Sequence, residues 1–115
     1  MLQRMYSMDD LLLLINSEGA NELRLHAGAP PVIVVRGEQH TIDGPPITTE
    51  NAGQLLQSVA NTRQKRVLGH GGAVQFILRR SCSKRNRMLN DFLVCAKMED
   101  EHVGIDIHRR WGGQM

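Results

Sequence analysis

The chain has 115 residues, of which 41% are apolar and 23% charged, and its formal net charge is +2. That is enough chain for one globular domain that buries a core without disulfides or metal, and the small charge is no argument by itself for a nucleic-acid partner. No run approaches the roughly 18 apolar residues of a membrane-spanning helix, and Leu11–Ile15, preceded by Asp9 and Asp10, lacks the layout of a signal peptide, so a cytoplasmic location is expected.

Four aromatic residues, Tyr6, Phe76, Phe92 and Trp111, leave the core to aliphatic side chains. In a reducing compartment Cys82 and Cys95 are two thiols. Neither has a C-x-x-C partner and the five histidines are scattered, so no metal and no cofactor are expected.

In chain order, Ser7-Met8-Asp9-Asp10 is a capping-box variant that starts a helix near Met8. Met8, Leu11, Leu12 and Ile15 form its apolar stripe, Leu13 and Leu14 widen the stripe, and Gly19 stops the helix. The widened stripe predicts cover on more than one side, or leucines that dock a partner.

The stretch from Gly19 to Gly37 organises the rest. Leu23 and Leu25 alternate with Glu22, Arg24 and His26, the period of a half-buried strand. Val32 to Val35 are apolar in succession, which predicts a central strand covered on both faces. Between them Gly28-Ala29-Pro30-Pro31 makes a turn in which two prolines remove ladder donors and keep the backbone extended. Glu38–Ile42 can add a short third strand, ended by Asp43-Gly44-Pro45-Pro46.

A threonine of Ile47-Thr48-Thr49-Glu50 caps a second helix, whose apolar face is Ala52, Leu55, Leu56, Val59 and Ala60. Asn61-Thr62-Arg63-Gln64 caps a third that stops at Gly69. Three strands then follow as a meander. Val74, Phe76 and Leu78 alternate in the first, Met88, Phe92, Val94 and Ala96 share one face of the second, and Val103, Ile105 and Ile107 continue that face in the third. This order predicts an α+β domain over residues 1–110, with a mainly antiparallel sheet of about five or six strands backed by helices. Residues 111–115 are expected to form a flexible tail.

The organising stretch resembles the N-terminal domain of PilT-type ATPases, hexameric motors that retract type IV pili in twitching motility, with type II secretion relatives of the GspE class. The family block G-A-S-D-L-H-L, then G-x-P-P, then D-G, stands here as Gly19-Ala20-Asn21-Glu22-Leu23-Arg24-Leu25, Gly28-Ala29-Pro30-Pro31 and Arg36-Gly37. Gly19, Leu23, Leu25, Gly28, Pro30, Pro31 and Gly37 carry the match. The family's helical pair, its D-F-S-F strand and its R-F-R-V-N element are echoed by Thr48–Leu68, Gln75-Phe76 and Arg85-Asn86-Arg87-Met88. Glu22, Arg24, Val34 and Gln75 replace a family aspartate, histidine, arginine and aspartate. The resemblance implies a PAS-like fold and a domain that packs on the ATPase domain of a neighbouring subunit, with basic residues of its later strands near the nucleotide.

A phosphate-binding loop needs G-x-x-x-x-G-K-S/T, whose backbone amides and lysine neutralise the β and γ phosphates. No Gly-Lys dipeptide occurs here, so the chain is expected to be non-catalytic and not the motor itself, whereas a larger parent that contained it could be an ATPase. Ser81, Cys82 and Ser83 have no histidine near them in sequence, which predicts no catalytic residue there. Asp106 and His108 fall on one strand face, close enough for a surface hydrogen bond.

The strongest charge feature is Arg79, Arg80, Lys84, Arg85 and Arg87, five basic residues in nine. The plain reading is a solvated hairpin tip. Two functional readings stand beside it, a contact with an acidic protein surface and a phosphate or nucleic-acid clamp weakened by salt. No aromatic interleaves with these residues, against a base-stacking platform. The leading expectation is a non-catalytic interaction or regulatory domain that meets a protein partner or a second copy of itself. A small nucleic-acid or anionic-ligand binder is the alternative, and a sensor holding a small ligand between helices and sheet is a third.

Overall fold

A computed structural model describes residues 5–81, 89–100 and 102–110. Helix α1 (Met8–Glu18) leads into strands β1 (Glu22–His26), β2 (Val32–Val35) and β3 (Glu38–Thr41). Helices α2 (Thr49–Gln57) and α3 (Thr62–Gly69) follow, then strands β4 (Ala73–Ser81), β5 (Leu89–Glu99) and β6 (His102–Arg110). The strands form one six-stranded sheet in the order β3-β2-β1-β6-β5-β4, antiparallel at every pairing. The expected α+β class holds.

Local chemistry sets each helix boundary. Ser7 accepts from the Asp10 amide at the start of α1, and Gly19, at φ 68°, closes it in the left-handed conformation that glycine adopts without cost. Thr48 caps α2 by accepting from the Asn51 amide. At α3, Asn61 and Gln64 form a reciprocal capping box. The β2–β3 hairpin closes through Arg36 (φ 51°) and Gly37 (φ 82°), both left-handed, as a two-residue type I′ turn requires.

The two halves of the sheet join through β1 and β6, so the last of the described strands pairs with the first. The chain leaves β3 at one edge, crosses as α2 and α3, and re-enters at β4 on the other edge. One face is thereby covered. Leu23, Leu25, Ile33, Phe92, Val94, Ala96, Val103, Ile105 and Ile107 lie buried on it, against Met8, Leu11, Leu12 and Ile15 of α1 and Ala52, Leu55 and Leu56 of α2. Leu13 and Leu14 are partly buried against this core, which accounts for the widened stripe of α1.

One expectation is corrected. β2 is next to the edge rather than central, and only Ile33 of its four residues is buried. Its short, fully exposed neighbour β3 gives little cover, so Val32 and Val34 stay half-buried on the open face. The proline corner holds its place by packing and hydrogen bonding instead. Pro31 is fully buried, Gly28 N donates to Ile47 O (2.8 Å), and Ile47 N donates to Ala29 O (2.9 Å).

Candidate functional site

The uncovered face of the sheet collects most of the charge-bearing strand residues. Alternation sends Glu22, Arg24 and His26 of β1 to this face, together with Asp106 and His108 of β6. Glu99, Lys97, Cys95 and Asp91 of β5 and Gln75, Ile77 and Arg79 of β4 extend it.

At its centre His26 bridges two carboxylates from different strands. Nδ1 lies 2.7 Å from Glu99 Oε1 and Nε2 lies 3.0 Å from Asp106 Oδ1. A neutral imidazole has one N–H, so only the doubly protonated ring donates to both acids. Burial pulls the His26 pKa down, but the hydrogen bond and charge of Asp106, then the charge and hydrogen bond of Glu99, outweigh it and hold the group above 6.5. Lys97 Nζ adds a cation 3.8 Å from Glu99 Oε2. Beside this clamp, Glu22 takes Arg24 on one oxygen and His108 Nδ1 at 3.6 Å on the other.

Gly104 on β6, opposite His26, makes room for the clamp. A Cβ there would collide with Glu99 Oε1 and stand 3.1 Å from His26 Cε1. The glycine is needed for close approach of side chains, since its φ is not left-handed.

Because His26 gains its partners on folding, its folded pKa lies above its unfolded one. The stability it supplies is complete below about pH 6.5 while the carboxylates stay ionised, and is lost as pH rises through the raised value. The urea midpoint should therefore fall as pH rises above 6.5 in the parent chain and change less in His26→Gln. Equal slopes in the two proteins would contradict the clamp.

The basic run is divided by the fold. Arg79 and Arg80 are neighbours on β4 and point to opposite faces. Arg79 Nε donates to Asp91 Oδ1 at 2.8 Å, across the β4–β5 pair on the open face. Arg80 turns to the helix side, where Nη1 donates to Asp9 Oδ1 and Nη2 to Ser58 O, both at 3.0 Å. It closes one wall of a shallow cleft of about 240 Å³ between the segment at Tyr6–Asp9 and α2. Lys84, Arg85 and Arg87 lie outside the described residues.

Other residues singled out in the sequence have structural positions. Gly19, Gly28 and Gly37 take left-handed backbone conformations, Leu23 and Leu25 are fully buried, and Pro30 and Pro31 form the corner. Asp106 meets His26, and His108 meets Glu22, so the expected Asp106–His108 contact is replaced by two cross-strand ones. Cys95 is a free thiol that receives Gln75 Nε2 at 3.4 Å, and Cys82 lies outside the described residues. Among the described residues no group of three or more His, Cys, Asp or Glu side chains is placed to hold a metal ion, and no helix is long and apolar enough to cross a membrane.

The His26–Glu99–Asp106 clamp is the feature that sequence reasoning missed. Its available signal was a polar residue at every second position of β1 and β6, together with a glycine inside a strand.

No protein-family model matches the chain, and no curated protein matches it in sequence. Solved structures do match in fold. The pilus retraction motor PilT, solved with bound ADP, superposes with a TM-score of 0.78 at 17% identity, covering 96% of this chain and 30% of the motor. The Legionella pneumophila ATPase DotB gives 0.71 at 18% identity, covering 96% of this chain and 31% of that one. The Yersinia pseudotuberculosis ATPase DotB gives 0.71 at 10% identity, over 88% and 29%. The chain thus spans about 30% of the length of the ATPases it matches, and its fold is that of one part, the N-terminal domain, of the PilT and DotB ATPases.

Proposed function

We propose that this chain is a non-catalytic contact domain of the kind carried by type IV pilus and secretion ATPases, acting in the cytoplasm on a neighbouring subunit or a partner protein. The observation that carries the reading is its fold likeness to PilT over 96% of its own length and only 30% of the motor's. The sequence agrees, since these 115 residues contain no G-x-x-x-x-G-K-S/T to cradle a triphosphate. The proposed contact surface is the basic hairpin, with Lys84, Arg85 and Arg87 reaching an acidic surface and Arg79 and Arg80 fixed at its base.

The test is an ATPase assay of the chain alone and mixed with a PilT-type hexamer. Alone it should hydrolyse no ATP above a heat-treated control; mixed, it should change the hexamer's rate, and replacing Lys84, Arg85 and Arg87 by alanine should remove that change. Turnover by the chain alone would overturn the reading. Salt-sensitive binding of labelled DNA or RNA, lost with the same replacements, would make the hairpin a polyanion clamp instead.

A further inference from the structure

The two edges of the sheet are built differently. β3 is four residues long, Glu-Gln-His-Thr, with every residue exposed. Short, polar edges of that sort resist pairing with another chain. β4 runs for nine residues, and among the described residues it has a ladder partner on one side only. Its middle, Val74-Gln75-Phe76-Ile77-Leu78, carries neither charge nor proline. Ile77 is 46% exposed, and Val67 of α3, the helix next to this edge, is 40% exposed. The usual devices against edge pairing are absent along this stretch, and apolar surface gathers beside it.

We propose that β4 pairs antiparallel with β4 of a second copy of this chain, joining two sheets into one about a two-fold axis at Ile77. The register is what selects a second copy. Full overlap of Ala73–Ser81 with itself sets Ile77 against Ile77, Phe76 against Leu78, Gln75 against Arg79, and Val74 against Arg80. No like charges stand opposite one another, and an apolar pair occupies the axis. Moving the axis two residues along the strand sets Arg79 against Arg79, which disfavours that slip. A two-fold axis normal to the sheet keeps both covered faces on the same side, so the two α3 helices flank the junction on that side.

This inference supplies a partner for the contact role proposed above, and it fails separately from it. The 115-residue chain should show twice its 12.9 kDa mass by light scattering across the micromolar range. Ile77→Lys, a change at an exposed position, should return it to monomer with its circular dichroism unchanged. In a Cys82→Ser, Cys95→Ser background, Ile77→Cys should form an intermolecular disulfide quickly, because residues directly opposite lie at about 4.5–5.5 Å between Cα atoms. Ala73→Cys should not, since its two copies stand roughly 26 Å apart at about 3.3 Å per residue. A monomeric parent, a dimer indifferent to Ile77→Lys, or equal cross-linking at 73 and 77 would each overturn the pairing. A monomer would leave the contact role intact, whereas ATP turnover would remove that role without touching the dimer.

Discussion

Phe92→Ala should lower the free energy of unfolding by about 3–5 kcal/mol, the range for truncating a packed aromatic to alanine. Phe92 is 1% exposed and heads the fully buried side chains in size. It is the one buried aromatic among the described residues, in a core otherwise made of Leu, Ile, Val, Met and Ala. Its backbone is held on both sides, by Leu78 of β4 and Arg109 of β6, so the strand cannot shift inward to close the space. The cost should therefore sit in the upper part of the range. At roughly 4 °C per kcal/mol for a domain of this size, the thermal midpoint should fall by more than about 10 °C. Phe92→Leu, which keeps most of the volume, should cost about 1–1.5 kcal/mol. A loss below about 1 kcal/mol for the alanine variant would mean that the core is not packed around this ring.

The sequence foretold the elements better than their neighbours. Ser7, Gly19, Thr48 and Asn61 act within one turn of themselves, so their spacing along the chain already contains the hydrogen bonds that set the helix ends. Alternation along β1, β5 and β6 likewise marked the residues that the fold buries. Strand order is different, because it depends on which distant segments pair. Val32–Val35 reads as a covered strand from its composition, yet its cover depends on β3, which is short and polar. The His26 clamp is further from view. Its acids lie 73 and 80 residues from the histidine, and nothing local to His26 announces them. Once β1 and β6 are known to be neighbours, the alternating polar residues and Gly104 become a single arrangement. The division of Arg79 from Arg80 is the opposite case. Strand periodicity alone places them on opposite faces, whatever the density of positive charge along the run.

Asn51→Leu should cost about 2–3 kcal/mol, although leucine has the same branched outline as asparagine and the site is buried. Asn51 is the one buried polar residue among the described residues, 2% exposed on the first turn of α2. Its Oδ1 accepts from Tyr6 N at 2.8 Å and its Nδ2 donates to Tyr6 O at 3.0 Å, so one amide engages both backbone groups of a residue 45 positions away. The Tyr6 hydroxyl reaches Pro45 O at 2.6 Å, which ties the same segment to the loop before α2. Leucine keeps the packing and removes both backbone bonds, so the loss should begin locally. Exchange of the Tyr6 amide should accelerate before the sheet amides do. Asn51→Asp keeps the acceptor for Tyr6 N but sets a carboxylate against Tyr6 O, and it should protect that amide better than leucine does. Thr48→Ala serves as the control, since it removes the α2 cap for about 1 kcal/mol and leaves the Tyr6 pairing in place. Equal exchange at Tyr6 in Asn51→Leu and Thr48→Ala would show that the helix end, rather than the amide, holds the segment that walls the Arg80 cleft.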